Sequence, residues 1–274
     1  MVAGSGPTDR NWSNPLLSVP SHGGRDVAEW LASQGIGSLR YDKRFIGATD
    51  PKLDISLDAQ VGDIKAALAA ARTLPEAKGR KLLLVGHSEG ALLSLLAAGD
   101  ADALLLIGLP SESMGTLIET QVGRQLEPAP EPVRKANLDY LHAVLEAIRH
   151  RTAAPAAGEQ VFPALVRLGQ SMMAPESLSF VRGTLDLDPW QLASRCPVPI
   201  AVIYGKEDMQ SFPPPKAPDG FHGFFLLIPH ANFLLKRETR STSELSAAQA
   251  LSAYGDDTPL ADLSTVAEWL KGLK

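Results

Sequence analysis

Ser88 stands between two glycines in Gly86-His87-Ser88-Glu89-Gly90, directly after the apolar run Leu82-Leu83-Leu84-Val85. The order reads as a short buried strand, a tight turn, and an apolar helix starting near Ala91. A serine on such a turn has its hydroxyl lifted into a cleft. Glycines flank it because side chains there would clash with the neighbouring strand and helix. The helix N-terminus beneath offers unpaired N–H groups to a developing oxyanion. The chemistry is nucleophilic attack on a carbonyl carbon. An ordinary turn that happens to contain serine is the alternative; agreement of strand, turn and helix favours the nucleophile.

A serine at its normal pKa needs a base, and the base needs an orienting acid. Val202-Ile203-Tyr204-Gly205-Lys206-Glu207-Asp208 reads as a strand ending in a glycine turn with two carboxylates. Asp208 lies just past the strand end and is the acid candidate, with Glu207 as fallback. A solvated loop carboxylate is the plainer reading. Of six histidines, His87 lies inside the turn, pointing away from the hydroxyl it neighbours. His22 precedes the first helix. His142 and His150 fall on a helical pattern where surface or packing roles are expected, and His222 precedes the last strand. His230 follows that strand, so it alone occupies the topological position expected of the base. Gly4-Ser5-Gly6 follows a strand remnant at Val2-Ala3. It could set the Ser5 amide beside the Glu89 amide as an oxyanion hole. No Gly-Lys-Ser/Thr follows it, which argues against a phosphate loop. No His-Glu-x-x-His spacing occurs, so no metal and no cofactor are expected.

The elements that must position these residues alternate between strand and helix, which implies a mostly parallel sheet flanked by helices. Helices are expected over 25–34, 57–74 and 263–273, the last with Trp269 facing inward. Strands are expected over 36–41, 82–85, 104–107, 200–204 and 224–228. Residues 111–192 break the rhythm with helical patterns at 138–149, 162–173 and 176–184 and a Pro/Ala-rich joint at 153–158. An insertion after the strand at 104–107 reads as a helical cap above the strand ends; helices packed on the side are the alternative. The expected division is therefore a core of 1–110 and 193–274 with a cap of 111–192. Met172, Met173 and Leu168 read first as helix packing, though methionines could also line an acyl pocket.

Composition fits this reading. A 274-residue chain with 45% hydrophobic and 21% charged residues can bury a full core. The net charge is −5, and no Lys/Arg cluster points to nucleic acid or an anionic membrane. The single Cys196 precludes an intrachain disulfide, so compartment is not read from bridges. No basic start runs into an apolar segment, so no signal peptide is expected and the location reads as cytoplasmic. The stretch 91–109 is interrupted by Asp100 and Asp102, as a helix followed by a strand would be, so no membrane span is expected.

Several segments resemble a bacterial α/β-hydrolase family, the serine-hydrolase group of carboxylesterases, serine-aminopeptidase-like and dienelactone-hydrolase-like proteins. They are Ala3-Gly4-Ser5-Gly6-Pro7-Thr8-Asp9-Arg10, Leu39-Arg40-Tyr41-Asp42-Lys43-Arg44, the Ser88 turn, Tyr204-Gly205-Lys206-Glu207-Asp208-Met209-Gln210, and Asn232 with Leu235-Lys236. They span nearly the whole chain and are jointly specific. The resemblance implies the α/β-hydrolase fold with a cap, Ser88 as nucleophile and Asp208 as acid. It also implies a small-molecule ester as substrate. Three departures stand out. The family carries more strands before the Gly-Ser-Gly turn, so the chain reads as short at its N-terminus. The Lys-Arg motif is normally followed by Gly, where this chain has Phe45. The family's catalytic histidine follows the Asn of the last motif, and that position is Phe233. Either His230 has taken over or the triad is impaired. Three functions follow: a serine carboxylester hydrolase, open to acyl transfer; a ligand-binding protein that has lost its base; and, on fold analogy alone, a peptidase acting on short peptides.

Overall fold

The computed structural model describes residues 1–15, 19–44, 46 and 54–273. Phe45 lies outside the described residues. Two compact units form. One takes the described parts of Met1–Leu53, Gln60–Ser111 and the described part of Pro189–Lys274. The other takes Asp54–Ala59 and Glu112–Asp188.

The first unit is organised on four parallel strands in the order β1 (Leu83–His87), β2 (Ala103–Ile107), β3 (Ile200–Gly205), β4 (Phe224–Ile228). Burial on both faces explains why β1, β2 and β3 read as continuous apolar runs. Val85, Leu105, Ile107, Ala201 and Ile203 share a core cluster with Val27 and Leu31 of α1 (Gly23–Ser33). The alternate residues Leu84, Leu104, Leu106, Val202 and Tyr204 are also buried, as period-two alternation in a covered sheet requires. α1 stops at Gly35, which takes φ +76°, a left-handed cap that favours glycine. α2 (Leu57–Thr73) follows, and then α3 (Glu89–Leu96) leaves β1 directly.

The expected strand over 36–41 does not form. Its place would be beside residues 1–3, but that segment offers only the single bridge of Val2 to Gly86. With so short a template no ladder can grow, and what remains is one bond, from the Met1 amino group to the Leu39 carbonyl at 2.9 Å.

The second unit is helical, with no strand among its described residues: α4 (Met114–Gln125), α5 (Glu131–His150), α6 (Pro163–Met173) and α7 (Pro175–Thr184). Proline opens α5, α6 and α7, where its missing N–H costs nothing. Tyr140, Leu141, Val144, Leu145 and Ile148 of α5 pack on Leu165 and Met172 of α6. Met172 is thus a packing residue. α4 was not legible, because only Gly115 and Leu117 of its residues are buried and its polar remainder hides the helical period.

The first unit continues with α8 (Pro189–Ser194), α9 (Ala247–Ser252) and α10 (Ser264–Gly272). α10 adds Val266 and Leu270 to the core, and Trp269 stacks on Phe224 with ring centroids 6.1 Å apart.

Candidate active site

Ser88 caps α3 with φ +56° and ψ −125°, a conformation that costs a non-glycine residue about 1–3 kcal/mol and marks functional turns. Packing imposes it. A Cβ on Gly86 would lie 2.5 Å from the Gly90 carbonyl oxygen, and one on Gly90 would lie 2.4 Å from that of Ala3. The two glycines therefore let β1, α3 and the Val2–Ala3 segment meet. The Ser88 amide donates to the Ile107 carbonyl at 2.9 Å, which ties the turn to β2. Its hydroxyl makes no hydrogen bond among the described residues, and the residue is half-buried.

The Gly4–Ser5 turn lies against this hydroxyl-bearing residue: a Cβ on Gly4 would be 3.1 Å from the Ser88 Cβ. Neither the Ser5 nor the Glu89 amide donates to another described residue. Lys43, not singled out from the sequence, joins the two segments. Its Nζ donates to the Gly4 carbonyl at 2.9 Å and to Glu89 Oε1 at 2.8 Å.

Asp208 is buried after the end of β3. Its Oδ1 accepts from the amides of Gln210 at 2.7 Å and Ser211 at 3.0 Å, and its Oδ2 accepts from the Ser211 hydroxyl. Burial pushes its pKa up to about 6, against the pull of these donors. Its carboxylate thus faces a serine hydroxyl and two amides, with no imidazole bonded to it. Glu207 is committed elsewhere, accepting from the Thr242 amide at 2.9 Å.

The Phe233 ring fills the space beside the turn. It lies against Gly108, whose Cβ would be 3.1 Å from it and 3.5 Å from Ser211 Oγ. Its centroid is 4.4 Å from His87 and 6.3 Å from Tyr254. Phe233 and the Asp208-bound Ser211 therefore share Gly108 as a neighbour. His87 is sandwiched, with Trp12 stacked at 4.7 Å. Its Nε2 donates to the Phe233 carbonyl at 3.1 Å, and burial lowers its pKa to about 4.

His230 is exposed at φ +54°. Its carbonyl accepts from the Glu238 amide at 2.8 Å, while its ring bonds neither Ser88 nor Asp208. The remaining histidines are no closer to the chemistry by hydrogen bonding. His22 pairs with Asp256 at 2.5 Å, His142 with Glu119 at 3.0 Å and His150 with Glu146 at 3.2 Å, and His222 is exposed. Asn232 anchors the last turn, accepting from the amides of Leu234 and Lys236 and donating to the Ala253 carbonyl at 3.0 Å. The described residues hold no group of three or more His, Cys, Asp or Glu that could take a metal ion, and no helix among them is long and apolar enough to cross a membrane.

Ser211 and Lys43 escape a reading by motif chemistry because what marks each is its contact, with Asp208 and with Glu89. Lys43 lies in Tyr41-Asp42-Lys43-Arg44, where only the resemblance drew notice to it.

The parallel sheet, the strained serine turn and the helix leaving it are those of the α/β-hydrolase fold. No family model matches the chain. It is 27% identical over 214 residues to esterase EstD of Thermotoga maritima, covering 77% of this chain and 46% of that protein. It is 40% identical over 76 residues to polyketide transferase af380 of Aspergillus fumigatus, covering 27% of this chain and 26% of that one. The chain thus spans half or less of the length of the curated relatives it matches. Among solved structures, the hypothetical protein PA2218 of Pseudomonas aeruginosa superposes with a TM-score of 0.50 at 14% identity, over 100% of this chain and 83% of that one.

Proposed function

From the α/β-hydrolase fold we propose a serine hydrolase of the esterase type. Ser88 Oγ attacks an ester carbonyl, the carbonyl oxygen takes up the negative charge, and the Ser5 and Glu89 amides bind it. Collapse of the tetrahedral adduct breaks the bond to the leaving oxygen, which takes up the proton that the base accepted from Ser88, so that the alcohol departs and an acyl group stays on Ser88. Water then releases the acid, and an alcohol in its place would make the same step an acyl transfer. The carrying observation is Ser88 at φ +56° with an unbonded hydroxyl beside two unused amides. The relatives' names, an esterase and a polyketide transferase, agree with a small carbonyl substrate. In this reading Asp208 is the acid, His230 reaches Ser88 as base by a shift of its exposed turn, and the helical unit of 112–188 serves as the cap.

A second reading is favoured by one observation of its own. Asp208 is capped by Ser211, at a site where the resemblance would put the family histidine at the position of Phe233. On that reading the chain binds a carbonyl ligand and turns it over slowly or not at all.

Labelling with a fluorophosphonate, with the adduct mapped by mass spectrometry, tests the nucleophile. Release of p-nitrophenol from p-nitrophenyl acetate beyond one equivalent tests turnover. A Ser88 adduct with multiple turnovers supports the hydrolase. An adduct without turnover supports the impaired form, and no adduct removes Ser88 from the chemistry.

A further inference from the structure

Lys43 is held on both sides. Asp42 accepts from the Arg10 amide at 2.8 Å and from Arg10 Nε at 3.0 Å, and Arg44 donates to Asp63 at 2.6 and 2.7 Å. Between these pairs the Lys43 ammonium reaches inward to the Gly4 carbonyl and the Glu89 carboxylate. Both side chains are largely shielded, with 13% and 8% of their surface exposed. The Gly4 carbonyl and the Ser5 N–H are two ends of one peptide group. That group is planar and stiff, so a cation that fixes the oxygen also fixes the direction of the N–H. The same cation polarises the group and strengthens the N–H as a donor. The second amide belongs to Glu89 itself, whose carboxylate is tied to the same ammonium.

We infer that Lys43 is a positioning residue that sets the Ser5 and Glu89 amides as a matched pair around the oxygen of the carbonyl attacked by Ser88. The inference rests on the hydrolase reading for its chemistry. Lys43 touches no reacting atom and acts through one peptide group and one side chain. A purely structural ion pair would stabilise the fold without tuning that peptide.

The test uses the full chain with Lys43→Met, Lys43→Arg and the double variant Lys43→Met/Glu89→Leu. The double variant removes both charges together, so no carboxylate is left buried and unpaired, and it carries the test if Lys43→Met does not fold. In ¹⁵N-labelled protein the Ser5 amide proton should move upfield in Lys43→Met and in the double variant, and return toward its original position in Lys43→Arg. With p-nitrophenyl acetate, Lys43→Met should lower kcat by about 10- to 100-fold, the scale of a misplaced oxyanion donor, with KM nearly unchanged. Affinity for a trifluoromethyl ketone should fall by the same factor, since its Ser88 adduct also carries an oxyanion. An unmoved Ser5 resonance, or a folded variant that keeps its kcat and its inhibitor affinity, overturns the inference. If the wild-type chain never labels at Ser88, the hydrolase reading falls by itself, and the Ser5 resonance alone then decides whether Lys43 sets that peptide.

Discussion

The Phe233 ring and the His87 imidazole lie 4.4 Å apart, and His87 also donates to the Phe233 carbonyl. Phe233 is thereby held at ring and backbone against the residue preceding Ser88. An imidazole substituted at position 233 would enter a seat already shaped for an aromatic ring, beside Gly108 and near Ser211. Where His230 does not serve as base, Phe233→His is therefore expected to raise the hydrolysis of p-nitrophenyl acetate; where it does, the substitution should add little. The gain should be about 10²-fold, the scale of a general base, and larger with Ser211→Ala, which frees Asp208 Oδ2. Steady-state rates of the single and double variants check it. Unchanged rates in both would mean that this seat does not address Ser88.

His230→Ala gives the complementary measurement. If the exposed turn brings His230 to Ser88, its removal should lower kcat by about 10²-fold. Its surface position predicts a change in stability within about 0.5 kcal/mol. A kcat equal to wild type in an active enzyme would exclude His230 as base.

The four strands, the serine turn and α1 were legible in the sequence because each rests on a local rule. Gly86 and Gly90 are demanded by backbone approaches of 2.5 and 2.4 Å, and the strands by burial on both faces. The strand over 36–41 was not, because its residues look extended while its pairing depends on a neighbour that supplies one bridge. α8 and α9 are too short, at six residues each, to show a helical period. At the site, the tight turn at Ser88 could be read from its context. The partner of Asp208 could not, since nothing in a sequence says that Ser211, three residues on, turns its hydroxyl back to the carboxylate.

Gly90→Ala should disturb fold and chemistry together. The added methyl would meet the Ala3 and Val2 carbonyl oxygens at 2.4 and 2.7 Å, both backbone atoms, so either α3 or the segment leading to Ser5 must move. Overpacking of this kind costs about 1–3 kcal/mol or more. Denaturant unfolding should show that loss, and fluorophosphonate labelling of the folded fraction should slow. Labelling at the wild-type rate would mean that the Ser5 turn and the serine turn need not be in register.

Asp208 and His87 make opposite contributions to stability in nearly the same pH range. The folded pKa of Asp208 is raised from 3.8 to about 6. Between those values the folded state binds the extra proton, so stability falls as pH rises from 3.8 to about 6. His87 is lowered from 6.5 to about 4. There the unfolded state binds the extra proton, so stability is present above 6.5 and is lost as pH falls toward 4. Each shift corresponds to a few kcal/mol, on the order of 3, and the two nearly cancel. Asp208→Asn removes one side of the balance while keeping a polar partner for Ser211. Its stability relative to wild type should therefore be greater at pH 7 than at pH 4. The variant alone should lose stability steeply on acidification from 6.5 to 4, because His87 then acts unopposed. Urea unfolding of both proteins at half-unit steps across this range checks the sign. A wild-type-minus-variant difference independent of pH would show that the Asp208 carboxyl is not held up by burial.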